Sequence, residues 1–234
     1  MRINKFISET GFCSRREADK LVADGRVTIN GAKAELGSQA ELGDDVRIDG
    51  RRIGAQKKHV YIALHKPVGI TSTTERHVKG NIVDFVSHRE RIFPIGRLDK
   101  DSEGLILMTN DGDVVNPILR SEGKHEKEYV VTVNKPITAS FLKGMAEGVY
   151  ILGSMTLPCK VKRVGTSTFH IILTEGRNRQ IRRMCEAFGY SVLRLKRIRI
   201  MNILLGDLPK GKWRDLTEDE KRILFQEIDY NPAT

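Results

Sequence analysis

The stretch GRLDKDSEGLILMTNDGD, residues 96–113, contains the clearest strand pattern in the sequence. Its residues 105–108 form an unbroken apolar run, and Asn110-Asp111-Gly112 behind the run is a turn signal. Two carboxylates, Asp99 and Asp101, stand shortly before the run. The pattern therefore predicts a buried strand with two acidic side chains in the loop that leads into it.

The chain around this strand predicts a sheet with scattered helices. Apolar or alternating runs predict further strands at 60–64, 128–133, 169–173 and 192–203. An apolar stripe at helical spacing predicts a helix over 179–188 with its arginines on the opposite face, and a capping box at Thr217 and Glu220 predicts another. Strands outnumber helices, which indicates an α+β fold with a mostly antiparallel sheet flanked by helices.

Basic residues change face within the predicted strand 192–203. They occupy positions 194 and 196 and then positions 197 and 199. Since side chains alternate along a strand, this shift by one residue predicts a β-bulge near Lys196 and Arg197.

The first 52 residues predict a small separate unit. Ile3, Phe6 and Ile7 have helical spacing, and a capping box at Ser14 and Glu17 begins a second helix. Short strand patterns with Asn-Gly and Asp-Gly turns follow. We therefore expect a domain over 1–52, a linker over 53–59, a main domain over 60–228 and a tail over 229–234.

Composition narrows the class of protein. The sequence is 39% hydrophobic and 30% charged, which is typical of a globular chain. Its three cysteines form no CxxC pair, which argues against a disulfide framework or a zinc ribbon and fits a reducing compartment. The N-terminus lacks the apolar segment of a signal peptide, and no apolar run reaches the ~20 residues of a membrane span. We expect a cytoplasmic protein.

Positive charge is concentrated in one short part of the chain. The formal net charge is +10. Between residues 177 and 199 the sequence has eight Lys or Arg (177, 179, 182, 183, 194, 196, 197, 199) and one acid, Glu186. The cluster is either a solvated face or a surface that binds phosphates, as in proteins that bind nucleic acid.

Common catalytic motifs are missing from the sequence. The six histidines do not fall at the spacings of metal ligands, and neither a GxSxG elbow nor a phosphate-binding loop of the Walker type occurs. Taken alone, Asp99 and Asp101 are more typical of a turn than of a catalytic pair.

Four motifs together resemble one enzyme family. HKPVG (65–69), GRLDKDSEGLILMTNDGD (96–113), HEKEYVVTV (125–133) and EGRNRQIRRM (175–184) resemble, in this order, the motifs of pseudouridine synthases of the RsuA/RluB/RluE/RluF family. The later motifs are most similar to its RluF branch, which modifies a uridine of 23S ribosomal RNA. RINKFISETGFCSRREADKLVADGRVTING (2–31) resembles an S4 RNA-binding domain.

The family resemblance implies roles for individual residues. It implies that Asp99 is the catalytic carboxylate, that Arg182 pairs with it and keeps it ionised, and that Tyr129 stacks on the target base. Arg97 would fill the space left by a flipped-out base or contact phosphate, and Asp101 would be a hydrogen-bonding loop residue. An isomerisation gains no atoms or electrons, so the resemblance implies neither cofactor nor metal.

The remaining expected contacts are to the RNA. The S4 resemblance implies that Arg15, Arg16 and Lys20 meet the RNA backbone, and Arg179 and Arg183 of the basic cluster are the other candidate RNA-binding residues. We expect a monomer that acts on 23S ribosomal RNA. The same chemistry on 16S ribosomal RNA or a tRNA stem-loop, and a non-catalytic RNA-binding factor of ribosome assembly, remain as alternatives.

Overall fold

The computed structural model describes residues 1–54, 58–120 and 123–231, and these form two compact units. The first comprises Met1–Val60 with Arg89–Arg91, and the second comprises Tyr61–His88 with the chain from Ile92 onward. Part of the expected linker 53–59 and of the expected tail 229–234 lies outside the described residues. The expected domain boundaries stay a prediction.

The first unit packs two helices on a small antiparallel sheet. Its elements are α1 (Ile3–Glu9), α2 (Arg15–Ala23), β1 (Val27–Ile29), β2 (Ala32–Lys33), β3 (Val46–Ile48) and β4 (Arg51–Arg52), with strand order β2-β1-β3-β4. The Ser14 capping box is present, which confirms the predicted start of α2. Asn30 and Gly31 both have positive φ, the geometry that a two-residue hairpin turn between twisted strands requires.

The second unit is built on one large sheet. Its strands are β5 (Tyr61–Lys66), β6 (Phe93–Ile95), β7 (Glu103–Thr109), β8 (Lys127–Val133), β9 (Tyr150–Ile151), β10 (Ser154–Met155), β11 (Lys160–Arg163), β12 (Thr168–Leu173), β13 (Val192–Ile200), β14 (Ile203–Leu204) and β15 (Trp213–Asp215). Its helices are α3 (Ile82–Val86), α4 (Val115–Leu119), α5 (Ala139–Glu147), α6 (Gln180–Ala187) and α7 (Glu218–Glu227). The strand order is β11-β12-β8-β13-β7-β5-β15, with β14 on β13 and β6 on β7, while β9 and β10 form a separate hairpin.

Strand pairing in the large sheet confirms the predicted α+β class. Within the described residues only β13 and β7 pair in parallel, and the other pairs are antiparallel. The strand in the opening motif, β7, is buried along its whole length. One apolar cluster packs α5 and α6 on β8 and β12, and another packs α4 and α7 on β5 and β7. Strand β7 thus holds the loop in front of it on a rigid support.

Strand β13 carries the predicted irregularity. Its register against β8 shifts between Arg197 and Arg199, which confirms a bulge close to the predicted position, and shifts again between Val192 and Arg194. The strand ends at Ile200 rather than continuing to 203, because Met201 adopts a positive φ and begins a turn into β14.

Candidate functional site

The loop before β7 is tied down on both sides of Asp99. The hydroxyl of Ser72 donates to the Leu98 carbonyl at 2.8 Å and accepts from the Leu98 N–H at 3.2 Å. The Lys100 carbonyl accepts from the N–H of Gly69 at 2.7 Å, and the Asp99 carbonyl accepts from the N–H of Ser102 at 3.0 Å. The backbone at Asp99 therefore has little freedom, which fixes the direction of its side chain.

The Asp99 carboxylate is partly exposed and has a cation beside it. Its side chain is 32% exposed, and Oδ2 lies 3.8 Å from Nη1 of Arg179. Arg179 is the N-cap residue of α6 and has a positive φ of 50°. An arginine predicted only as an RNA contact is thus the ion-pair partner of the candidate catalytic carboxylate.

The structure places Arg182 against Asp101, whereas the sequence analysis expected it to form an ion pair with Asp99. Nη2 of Arg182 donates to the Asp101 carbonyl at 3.0 Å and to Ser102 Oγ at 3.1 Å, and it lies 3.4 Å from the Asp101 carboxylate. Nη1 donates to the Val192 carbonyl at 3.2 Å. Arg182 is 7% exposed, so it also does not belong to the solvent-facing stripe in which the helical pattern put it. Its hydrogen bonds connect the loop before β7 to β13.

Asp101 binds the two arginines. Its carboxylate accepts from both terminal nitrogens of Arg179, at 3.2 and 3.1 Å, in addition to the Arg182 contact. Burial opposes ionisation of this group, but the Arg179 hydrogen bonds and the charges of both arginines outweigh it and lower the pKa of Asp101. These contacts support its expected role as a loop hydrogen-bonding residue.

Lys66, at the end of β5, is an internal cation near the same loop. It is fully buried, and Nζ donates to the carbonyls of Pro67 and Ile70 at 2.9 and 2.8 Å. Burial lowers the pKa of Lys66 to about 8, although the charges of Asp101 and Asp99 act in the opposite direction. In its protonated form Lys66 places a positive charge near both carboxylates.

A cavity of about 920 Å³ opens in front of the loop. Its wall includes Arg97, Asp99, Lys127, Tyr129, Arg179 and Arg197. Tyr129 comes from β8 and stands opposite Arg197 of β13 in the strand register. Thus Asp99 and Tyr129, 30 residues apart in the chain, share one cavity, whereas Arg182 supports the loop behind it.

The basic cluster of residues 177–199 is only partly available to a phosphate. Arg177 binds Glu175 and the backbone of the β9–β10 hairpin, Arg182 and Arg197 are buried, and Arg199 is held by Glu126 and Glu128. Neither of the two interpretations of the cluster, a solvated face or a phosphate-binding surface, therefore describes these four arginines. The contacts of these arginines lie inside the fold, where local sequence cannot reveal them.

The other predicted RNA-binding residues lie at the surface. Arg97 and Arg179 are exposed and line the cavity, and Arg183 is half-buried and binds Asn178. Arg15, Arg16 and Lys20 are exposed on α2 of the first unit.

Sequence reasoning missed three residues of this region. Ser72 carried no signal, because a serine in a TST sequence is unremarkable until the fold brings it against Leu98. Lys127 was visible only as part of the motif 125–133 and Arg197 only as part of the basic cluster. Neither their place at the cavity nor the burial of Arg197 could be read from spacing. Among the described residues, no group of three His, Cys, Asp or Glu side chains could hold a metal ion. Each helix in the described ranges is too short or too polar to cross a membrane.

The fold and motifs match known proteins. A solved structure titled as a pseudouridylate synthase superposes on 96% of this chain and 99% of its own, with a TM-score of 0.71 and 29% identity. The family model for RNA pseudouridylate synthase matches residues 60–187, and the S4 domain model matches residues 1–46. The chain belongs to the RNA pseudouridine synthase family and carries an N-terminal S4 domain.

Two curated relatives refine this similarity. A protein of Salmonella typhi named dual-specificity RNA pseudouridine synthase RluF is 58% identical over 97% of this chain and 80% of its own length. A protein of Bacillus subtilis (strain 168) named ribosomal large subunit pseudouridine synthase B is 35% identical over 95% of both chains. The match to RluF confirms the branch that the motifs predicted.

Proposed function

We propose that this enzyme isomerises a uridine of 23S ribosomal RNA, with Asp99 as the catalytic carboxylate, and that a tRNA stem-loop is its second substrate. The observation that carries the proposal is the shared cavity. The Asp99 carboxylate on an immobilised loop and the Tyr129 ring on β8 line one volume of about 920 Å³, large enough for a nucleoside.

The reaction requires a carboxylate and no added reagent. The bond from ribose C1′ to uracil N1 breaks, and its electron pair stays on the uracil. The ring then rotates and forms a bond from C5 to C1′, C5 loses its proton and N1 gains one. Asp99 acts either as the nucleophile at C1′, whose bond to C1′ breaks when C5 attacks, or as the base that takes a proton from C2′ and returns it as the C5–C1′ bond forms. Both routes need its ionised form.

Two positively charged side chains lie near the Asp99 carboxylate. Arg179 lies 3.8 Å from the carboxylate, and the ammonium of Lys66 is buried nearby. A nearby positive charge stabilises a carboxylate, and more strongly once RNA has displaced water from the cavity. In this scheme Arg182 is a positioning residue, since its contacts are to the backbone and side chains of 101–102.

The target base must leave the RNA stack to reach Asp99. Enzymes that act on a base commonly extrude it into a pocket and stack it on an aromatic side chain. Tyr129 lines the cavity and stacks on the extruded base. Arg97 is exposed at the same cavity, and it fills the space that the base leaves in the RNA stack or contacts phosphate.

The choice of RNA rests on the relatives. The 58% identical protein is named as a dual-specificity enzyme, and the 35% identical one is named for the large ribosomal subunit. The S4 domain adds a second RNA-binding unit, consistent with a large structured substrate. Modification of 16S ribosomal RNA is the competing target.

The test uses Asp99→Asn and, as a matched variant in the same loop, Asp101→Asn. With ribosomal RNA and tRNA from cells lacking the enzyme, we expect Asp99→Asn to form no pseudouridine while binding RNA within about tenfold of wild type. Asp101→Asn should retain a measurable rate. Carbodiimide mapping of the products identifies the uridine.

Each alternative has its own result in this experiment. Pseudouridine formation by Asp99→Asn would exclude Asp99 as the catalyst. Product only in 16S ribosomal RNA would exclude the proposed target. RNA binding without any product by the wild-type chain would favour the non-catalytic assembly factor.

A further inference from the structure

The cavity wall contains a buried arginine whose charge is not matched by the protein. Arg197 is 4% exposed. Its Nε donates to the Leu105 carbonyl at 2.7 Å, whereas its buried Nη2 has no hydrogen-bond partner among the described residues. No carboxylate of the described chain lies within ion-pair distance of it, although other arginines of the cluster have such partners. A buried guanidinium in this state is costly unless a ligand accepts its hydrogen bond.

The fold forces this side chain into the cavity. Arg197 pairs with Gly104 of β7 on one side and with Tyr129 of β8 on the other. A side chain at position 104 would overlap the backbone of Arg197, so only glycine allows β13 to approach β7 this closely. The guanidinium carbon lies 6.0 Å from the centre of the Tyr129 ring. The cation is thus held beside the aromatic surface proposed for the base.

A second cation stands on the same wall. Lys127 lines the cavity two residues before Tyr129, and its Nζ makes a long hydrogen bond of 3.3 Å to the His125 carbonyl. Burial lowers the pKa of Lys127, and the positive charge of Arg197 lowers it further. Arg197 and Lys127 therefore repel each other across a part of the cavity that a negatively charged ligand group would stabilise.

We infer that Arg197 is a further catalytic residue, whose guanidinium donates to a carbonyl oxygen of the target uracil. When the C1′–N1 bond breaks, the electron pair left on the uracil spreads over N1 and the two ring oxygens. A preorganised donor at such an oxygen stabilises this charge as it develops. Formation of the C5–C1′ bond then consumes the pair. The inference rests on the proposed function and adds the group that stabilises the leaving base.

Burial favours the base over an RNA phosphate as the partner of Arg197. The Asp99 side chain is 32% exposed, whereas Arg197 is 4% exposed. If the ribose reaches Asp99, the base extends from it to the more enclosed wall of Tyr129 and Arg197. Phosphates remain outside with the hydrated backbone, where Arg97 and Arg179 are exposed.

The experiment compares leaving groups. Single-turnover loss of the starting nucleotide is measured at saturating enzyme for wild type and Arg197→Met, on RNA with uridine or 5-fluorouridine at the target. Fluorine withdraws electrons and stabilises the uracil anion, so it reduces the need for Arg197. We expect Arg197→Met to slow the uridine reaction about 100-fold, to slow the 5-fluorouridine reaction about tenfold or less, and to bind RNA within about threefold.

Two further variants keep the test decisive. Arg197→Lys retains a cation and should fold and react at an intermediate rate, with an intermediate response to fluorine, even if Arg197→Met does not fold. Arg194→Met removes an exposed arginine of the same strand, whose partner Glu103 keeps Lys210, and should react within about threefold of wild type.

The opposite results would overturn the inference. Equal slowing on both substrates would make Arg197 structural. Weaker binding with an unchanged rate at saturation would make it a phosphate contact. If the wild-type chain forms no pseudouridine, the proposed function itself fails, which is a separate result.

Discussion

Replacement of Arg182 by alanine tests whether this residue holds the Asp99 loop in place. The change removes three hydrogen bonds from a side chain that is 7% exposed, at 3.0, 3.1 and 3.2 Å. Each bond from a charged donor contributes about 1.5 kcal/mol or more. The contact with the Asp101 carboxylate adds about 1 kcal/mol or less, because that side chain is 48% exposed and keeps Arg179.

With partial relaxation of the site, we expect the free energy of unfolding to fall by about 3–5 kcal/mol. For a chain of this size this corresponds to a drop in melting temperature of roughly 6–20 °C. Trp213, the single tryptophan, lies in β15 and reports unfolding of the second unit by fluorescence during urea titration. Single-turnover assays at low temperature should show a loss of at least about 100-fold, because a misplaced carboxylate reacts poorly.

Arg183→Ala is the matched control. This neighbour on α6 is half-buried and hydrogen bonds only to Asn178 within the described residues, so its loss should cost less than about 1 kcal/mol. Equal stability of Arg182→Ala and Arg183→Ala, together with normal turnover by the former, would refute the positioning role of Arg182.

Two further outcomes are expected from the S4 domain and from Lys66. Changing Arg15, Arg16 and Lys20 together to alanine should weaken RNA binding and flatten the slope of log affinity against log salt by about 2–3, since each phosphate contact contributes ~0.7–0.9; an unchanged slope would mean that this face does not meet RNA. For Lys66, the folded pKa of about 8 lies below the ordinary 10.5, so between these values the unfolded chain binds more protons and stability rises with pH. The measured quantity is the free energy of unfolding of wild type minus that of Lys66→Met, determined by urea titration. This difference should increase by about 2 kcal/mol from pH 7.5 to 10. A flat or falling difference would contradict the lowered pKa of buried Lys66.

Local patterns in the sequence determined the family and the longest elements of the secondary structure. The capping boxes at Ser14 and Thr217 predicted two helix starts correctly, because a cap depends on residues three positions apart. The apolar run of β7 predicted a fully buried strand, and the change of face near Lys196 predicted the bulge of β13. The motifs predicted a pseudouridine synthase, which the family match confirms.

Tertiary structure alone decided which charges meet. Arg179 and Arg182 lie about 80 residues from their partners in the chain, and both belong to the same basic motif. The way α6 packs beneath the loop directs Arg182 to Asp101 and Ser102 and leaves Arg179 beside Asp99. A sequence pattern describes neighbours along the chain, whereas an ion pair depends on distances of a few ångströms between distant segments.

Burial of Arg197 has the same origin. In the sequence it is one basic residue among eight, yet the close approach of β13 to Gly104 turns it into the cavity, while Arg199 of the same strand is neutralised by Glu126 and Glu128. The sequence shows that each arginine is charged, but only the packing of the strands determines whether that charge lies beside water, a carboxylate or the substrate.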